Sequence, residues 1–253
     1  MAKNKLAKFA EMELLPNVFQ PKNMDILRAD YHLKGRWREE VFRNDGPLVL
    51  EIGCGKGEYA VELGRMYPEK NFIGLDIKGA RMWKGAKAAS EAGMKNVAFV
   101  RMYAELLASV FAPGEVSEIW ITFPDPQMAK ARKRLTGTRF LSLYQKILAP
   151  GARIHLKTDS PFLYAYTMEV IRENRLEAEV HTEDLYGGGW QDEILGIRTF
   201  YEHQWLSRGK KIKYIRFSVP AGVPLTEPEV EIERDDYHSE TRFMVPRTNT
   251  NEG

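Results

Sequence analysis

The chain has 253 residues, 43% hydrophobic and 28% charged, and no run approaches the roughly eighteen apolar residues of a membrane span, so disorder, coiled coil and a transmembrane helix are excluded. Its single cysteine, Cys54, can form neither an internal disulfide nor a cysteine-rich metal site, and the basic N-terminus lacks the apolar stretch of a signal peptide, a combination that suits the cytoplasm. The net charge of +2 argues against a polyanionic partner until it is divided along the chain: residues 221–253 hold three basic and eight acidic residues, which leaves +7 on the first 220.

Residues 1–20 mix Lys and Glu without a sustained period and read as a mobile or loosely docked arm. Apolar residues three to four apart predict a helix over 25–43, weakened at Gly35. From residue 47 strand and helix patterns alternate. Strands are predicted over 47–52, 71–75, 96–100, 117–123 and 152–157, and helices over 58–66, 78–92, 136–148 and 161–174. Two later strands, 176–181 and 212–219, are separated by the glycine-rich stretch 186–190 and suit a closing antiparallel pair. Alternation of this kind implies an α/β fold with a doubly wound, mostly parallel sheet. Ligands of such sheets lie outside the carboxyl ends of the strands, here just after Ile52, Leu75, Val100, Phe123 and Lys157.

The first of these ends reads Glu51-Ile52-Gly53-Cys54-Gly55-Lys56-Gly57-Glu58. Glycines allow a tight turn and close approach of a ligand to the backbone. Glu58 breaks the dinucleotide pattern, and Lys56 is not followed by Ser or Thr as in a P-loop. An acid before an E-x-G-x-G-x-G turn, with a second acid, Asp76, at the next strand end, resembles the S-adenosylmethionine methyltransferases. Asp76 is placed to accept hydrogen bonds from ribose hydroxyls; the bland alternative is a generic glycine turn with Asp76 solvated.

The fourth end reads Phe123-Pro124-Asp125-Pro126-Gln127, with a carboxylate whose backbone is restricted by both prolines. Five positive charges and no acid follow before Phe140, namely Lys130, Arg132, Lys133, Arg134 and Arg139. A second acid-free stretch holds Arg208, Lys210, Lys211, Lys213 and Arg216. Such runs are either solvated faces or seats for a phosphate backbone, and their position beside predicted site loops favours the latter. The fifth end carries Lys157-Thr158-Asp159. Thr199-Phe200-Tyr201-Glu202 offers another Thr and carboxylate, which a helix capping box alone would also explain. The five histidines are scattered without a helical H-x-x-x-H pair, so no metal site is expected.

The ordered series G-x-G-x-G, Asp76, F-P-D-P with basic residues and R-L-T, K-T-D and T-x-Y-E is similar to the bacterial tRNA (guanine-N7-)-methyltransferases over residues 45–219. The resemblance implies a Rossmann-like class I fold: a mostly parallel seven-stranded sheet, helices on both faces, and an antiparallel last strand. It implies an arm over 1–20, a methyltransferase domain over 21–220 and an acidic extension over 221–253. It implies S-adenosylmethionine as cofactor, held by Glu51, Gly53, Gly55, Gly57 and Asp76, with Tyr103 where many members carry an acid near the adenine. Asp125 would be the active-site carboxylate, and Lys130, Asp159, Thr199 and Glu202 would bind the substrate. The family's usual tryptophan after the D-P pair is Gln127 here, and the basic loop is about two residues shorter.

The implied reaction transfers a methyl group to N7 of a guanine in the tRNA variable loop. Two other functions fit the same fold: methylation of another substrate, or RNA binding without catalysis. The acidic extension, with Glu229, Glu231 and Glu233 alternating, is expected to be an extended arm that shields the basic face from non-cognate RNA. No membrane partner is expected, and the sequence is compatible with a monomer or a homodimer.

Overall fold

The computed structural model describes residues 2–188 and 193–235. Gly189 and Trp190 of the glycine-rich connection, and the extension beyond 235, lie outside the described residues. The chain opens with α1 (Ala2–Leu14), β1 (Val18–Phe19) and α2 (Asn23–Ile26). The alternating part follows as β2 (Leu48–Ile52), α3 (Glu58–Met66), β3 (Asn71–Asp76), α4 (Gly79–Glu91), β4 (Val97–Arg101), α5 (Leu107–Val110) and β5 (Val116–Thr122). It continues as α6 (Thr138–Tyr144), β6 (Leu148–Thr158), α7 (Pro161–Glu173), β7 (Ala178–Thr182), α8 (Phe200–Leu206) and β8 (Lys213–Phe217).

One sheet runs in the order β1-β4-β3-β2-β5-β6-β8-β7. Every pair is parallel except those made by β8, which is antiparallel to both β6 and β7. The seven strands read from the sequence are therefore present, joined at one edge by β1. Side chains of a strand point alternately to the two faces, and both faces are covered. Leu48, Leu50 and Ile52 join one core with Trp37, Phe140, Tyr144 and Leu163, whereas Val49 joins a second core with Tyr59, Met82, Trp120 and Tyr214. This two-sided burial is why the central strands are almost uniformly apolar. No helix among the described residues is long and apolar enough to cross a membrane.

Three regions differ from the sequence expectation. Residues 2–14 are a docked helix, not a loose arm. Met12 is fully buried, and the Glu11 carboxylate accepts hydrogen bonds from Trp83 Nε1 (2.8 Å) and Lys87 Nζ (2.6 Å) on α4. The predicted helix over 25–43 is interrupted. Gly35 is left-handed (φ +77°), and the Glu115 carboxylate takes up the amides of Gly35 (3.0 Å) and Trp37 (3.4 Å) before a single π-helical turn over Trp37–Phe42. Helix α6 is shorter than 136–148 because Leu148 already belongs to β6.

The extension is also docked. Asn174 and Thr226 exchange two hydrogen bonds (2.8 and 2.6 Å), and Glu227 accepts from Thr138 Oγ1 (2.7 Å) and Tyr166 OH (2.5 Å). Leu225 and Ile232 pack on the core. Residues 220–235 thus lie along α6 and α7 as a strap.

Candidate active site at the carboxyl edge of the sheet

All three glycines of the first turn are left-handed, with φ of +76° at Gly53, +55° at Gly55 and +68° at Gly57. They differ in what surrounds them. A Cβ on Gly57 would sit 2.3 Å from the Phe99 ring, so Gly57 lets α3 pack onto the sheet. A Cβ on Gly53 or Gly55 would make only ordinary contacts, 3.7 Å from Leu135 and 3.9 Å from Tyr201, so at these two positions the left-handed backbone and not a clash asks for glycine. The turn they form is a cradle with Leu135 and Tyr201 beside it.

Asp76 stands beside it, accepting from Gly55 N at Oδ2 (2.9 Å) and from Lys78 N at Oδ1 (2.7 Å). A carboxylate has about four acceptor positions, so the orientation is fixed and acceptor capacity remains for a diol. Ile77 and Tyr103, large side chains exposed at the ends of β3 and β4, flank it. Ile77 carried no signal in the sequence beyond following Asp76. Glycine cradle, diol acceptor and apolar flank fit a bound nucleoside.

Glu51 is buried instead of facing this space. Its Oε2 accepts from Ala60 N (3.0 Å) and its Oε1 from Thr122 Oγ1 (2.8 Å), which ties the start of α3 to the end of β5. Burial raises its pKa to about 8. Cys54, sealed under the same turn, has its thiol pushed well up by burial.

Asp125 is exposed between two buried prolines, and its Oδ1 accepts from Gln127 N (3.1 Å). Phe123 (φ +49°) and Gln127 (φ +50°) on either side are left-handed without being glycine. Such residues cost on the order of 1–3 kcal/mol each and gather at functional loops. Beyond them Lys130, Arg132, Lys133 and Arg139 are exposed. Arg134 turns inward: its guanidinium donates to the carbonyls of Gln127 (3.3 Å) and Met128 (2.8 Å) and lies over the Tyr166 ring (4.2 Å). It braces the loop.

Asp159 ends β6 at 2% exposure, and its Oδ2 makes no hydrogen bond, although Lys210 Nζ is 3.6 Å away. Burial raises its pKa, against the pull of Lys210; the charge of Asp235 adds a smaller upward push. Thr199 caps α8 by accepting from Glu202 N (3.2 Å). The capping box is only half formed, because the Glu202 carboxylate goes elsewhere. Glu202 is fully buried and pairs through Oε1 with Lys157 Nζ (2.9 Å) and Tyr186 OH (2.5 Å), leaving Oε2 without a hydrogen bond.

Lys157 was not singled out by the sequence beyond its place in K-T-D. It too is fully buried, and it donates to the carbonyls of Leu195 (2.9 Å) and Ile197 (2.9 Å). Burial lowers its pKa and Glu202 opposes that shift. A lysine inside the apolar strand Ile154-His155-Leu156-Lys157 was the available clue.

The structure brings the separate motifs together. Phe200 N donates to Glu58 (2.7 Å), and Lys56 Nζ lies 3.1 Å over the Phe200 ring, so α8 starts against the glycine turn. Leu135, from the R-L-T segment, lies 3.7 Å from where a Gly53 Cβ would be. Glu51 links the same turn to the strand carrying Asp125.

A parallel sheet closed by one antiparallel strand, with a glycine turn and an acid at adjacent strand ends, defines a class I, S-adenosylmethionine-dependent methyltransferase fold. The fold is shared with a 16S rRNA methyltransferase, KamB, at a TM-score of 0.56 and 17% identity over 72% of this chain and 92% of that one. The family model Methyltransf_4, described as "Putative methyltransferase", matches residues 45–215. The tRNA (guanine-N(7)-)-methyltransferase of Bacteroides fragilis is 55% identical over 96% of both chains, and that of Porphyromonas gingivalis 58% identical over 91% of this chain and 96% of its own. The chain belongs to the tRNA (guanine-N(7)-)-methyltransferase family. A match over 96% of the chain leaves too few residues over to omit the acidic segment after 220, so most of that segment has a counterpart in the Bacteroides relative.

Proposed function

We propose that this chain transfers a methyl group from S-adenosylmethionine to N7 of a guanine in the variable loop of tRNA, acting in the cytoplasm. The observation that carries the reading is the rigidly held, exposed Asp125 at the end of β5, tied through Thr122 and Glu51 to the glycine cradle.

Gly53, Gly55 and Asp76 would hold the nucleoside part of the cofactor, with Ile77 and Tyr103 beside its base. Glu51 and Gly57 would act behind them by fixing the turn. When bound, S-adenosylmethionine supplies a methyl group on a sulfonium, ready for displacement.

Guanine N7 offers a lone pair and carries no proton, so no general base is needed. Positive charge spreads over the purine as the bond forms, and a carboxylate already in place favours that charge without reorganising. Asp125 would do this and help hold the base in line. Asp159 would accept from the guanine N1–H and amino group, where adenine has no matching donor pair. Thr199 and Glu202 would complete that pocket, Glu202 through its remaining oxygen. Lys130 and its exposed neighbours would hold the phosphate backbone.

The test is nucleoside mass spectrometry of tRNA incubated with labelled S-adenosylmethionine and either the wild-type chain or Asp125→Ala. The expected product is 7-methylguanosine, with turnover lowered on the order of a hundredfold or more in the variant while calorimetric cofactor affinity is kept. A different methylated nucleoside would indicate another substrate, and RNA binding without product a non-catalytic role. Near-normal turnover by Asp125→Ala would remove that residue from the reaction.

A further inference from the structure

The strap over 220–235 ends at the strand end that carries Asp159. Asp235 Oδ2 accepts hydrogen bonds from Ser160 Oγ (2.6 Å) and Phe162 N (3.2 Å). Ser160 is 1% exposed, and it also caps α7 by accepting from Leu163 N (3.1 Å), while its own amide donates to Thr158 Oγ1 (3.1 Å). The turn holding Asp159 is therefore pinned from both sides, and the outer pin comes from a residue 75 positions away in sequence.

The strap also faces the loop after Asp125. A cavity of about 680 Å³ is lined by Met128, Arg134 and Phe162 on one side and by residues 230–234 on the other. Met128 lies three residues past Asp125 and Phe162 three past Asp159, so the cavity wall is built from chain that leads on from both carboxylates. Along the strap, Glu229, Glu231 and Glu233 are exposed while Ile232 packs inward. Of the charged lining residues, Arg134 lies on the loop side and Glu231, Glu233 and Arg234 on the strap side.

We propose that the strap over 220–235 is a wall of the substrate site and that Asp235 is a positioning residue, fixing through Ser160 the strand end from which Asp159 meets the target base. The inference rests on the methyl-transfer reading above and adds to it a part of the chain outside the core motifs. Like charge on Glu229, Glu231 and Glu233 disfavours a phosphate backbone along the strap and favours the basic loop as its seat. The clasp works at the other end of the same wall. Without it, the Asp159 turn keeps its chain path but loses the constraint that aims the carboxylate, and a small misplacement of a substrate-positioning group is costly in turnover.

The experiment compares wild type, Asp235→Asn, Asp235→Glu, Ser160→Ala and the Ser160→Ala/Asp235→Asn double variant, reading kcat and KM on tRNA, calorimetric S-adenosylmethionine affinity and Tm. Asp235→Asn is expected to lower kcat about tenfold with cofactor affinity unchanged, Asp235→Glu to recover part of the loss, and the double variant to turn over no more slowly than Ser160→Ala. A lower Tm with kcat intact in Asp235→Asn would reduce the contact to a helix cap and overturn the proposal. Additive kcat losses in the double variant would equally overturn the route through Ser160. Because wild-type turnover is read in the same series, intact kcat in the variants of an active enzyme defeats this inference and leaves the assigned reaction standing.

Discussion

The two basic stretches are alike in sequence, five cations each and no acid, yet the fold uses them in opposite ways. In the stretch after Asp125, Lys130, Arg132, Lys133 and Arg139 are exposed; Arg134 turns inward to brace the loop, and Arg139 donates to the Arg132 carbonyl (3.2 Å). In the stretch around β8, Lys210 lies 3.6 Å from Asp159, Lys211 3.1 Å from Asp184 and Arg216 3.1 Å from Glu179. Lys213 is buried and donates to the carbonyls of Asp159 and Lys211. Among the described residues, acids from distant parts of the chain answer the second stretch and not the first. A run of positive charge is thus a phosphate seat only where the fold supplies no carboxylate, and the sequence-level excess of +7 overstates the field that RNA would meet.

Lys157 is the extreme committed cation, and its removal should have the largest effect. Lys157→Ala leaves Glu202 charged, buried and unpaired, which should cost about 3–5 kcal/mol in urea unfolding. An unchanged midpoint would mean that Glu202 finds water or another partner. The comparison itself is broken or upheld by salt titration of tRNA binding. Arg132→Glu with Lys133→Glu should flatten the log–log salt slope by about two units, near 0.9 per lost phosphate contact, and leave Tm unaltered. Arg216→Gln should do the reverse: the slope holds, and stability falls by about 1 kcal/mol or less. Equal slopes in the two variants would erase the distinction.

A further effect concerns a committed acid. Burial raises the pKa of Glu51 to about 8, above its unfolded value, so the folded chain binds the extra proton between the two values. The stability this gives is full below the ordinary carboxylate range and drains away as pH rises through about 8. Glu51→Gln keeps both hydrogen-bond positions without the titration. Its urea midpoint should fall less than that of wild type between about pH 6 and pH 9; parallel curves would place the proton elsewhere.

What could be read from the sequence follows the same division between local and distant causes. Helix α3 was delimited to the residue, 58–66, by its own period and the glycine turn before it. The glycines, Asp76 and Asp125 were legible because strand ends in a parallel sheet are where ligands sit. Helix α1 was not, since its fixed place depends on Met12, Glu11, Trp83 and Lys87 meeting across some seventy residues of sequence. Strand β1 has two residues, too few for any period. The acidic extension was read as an extended arm over the basic face, because nothing local announces Asn174, Tyr166 and Ser160 as its partners. Thr199 and Glu202 were legible as residues but not as a pair with separate duties. The cap was expected, while the buried salt bridge required a lysine from another strand.

The lone cysteine of the chain has a practical meaning. Cys54 lies closed beneath the glycine turn, its thiol held far from the thiolate form. Alkylating reagents and oxidants therefore meet no reactive thiol among the described residues while the turn stays shut. Labelling of Cys54 would act as a clock for opening of the glycine turn, without a foreign residue having to be introduced. A dye-bearing cysteine placed on the strap would likewise react against a dark background, and could follow that wall as RNA enters.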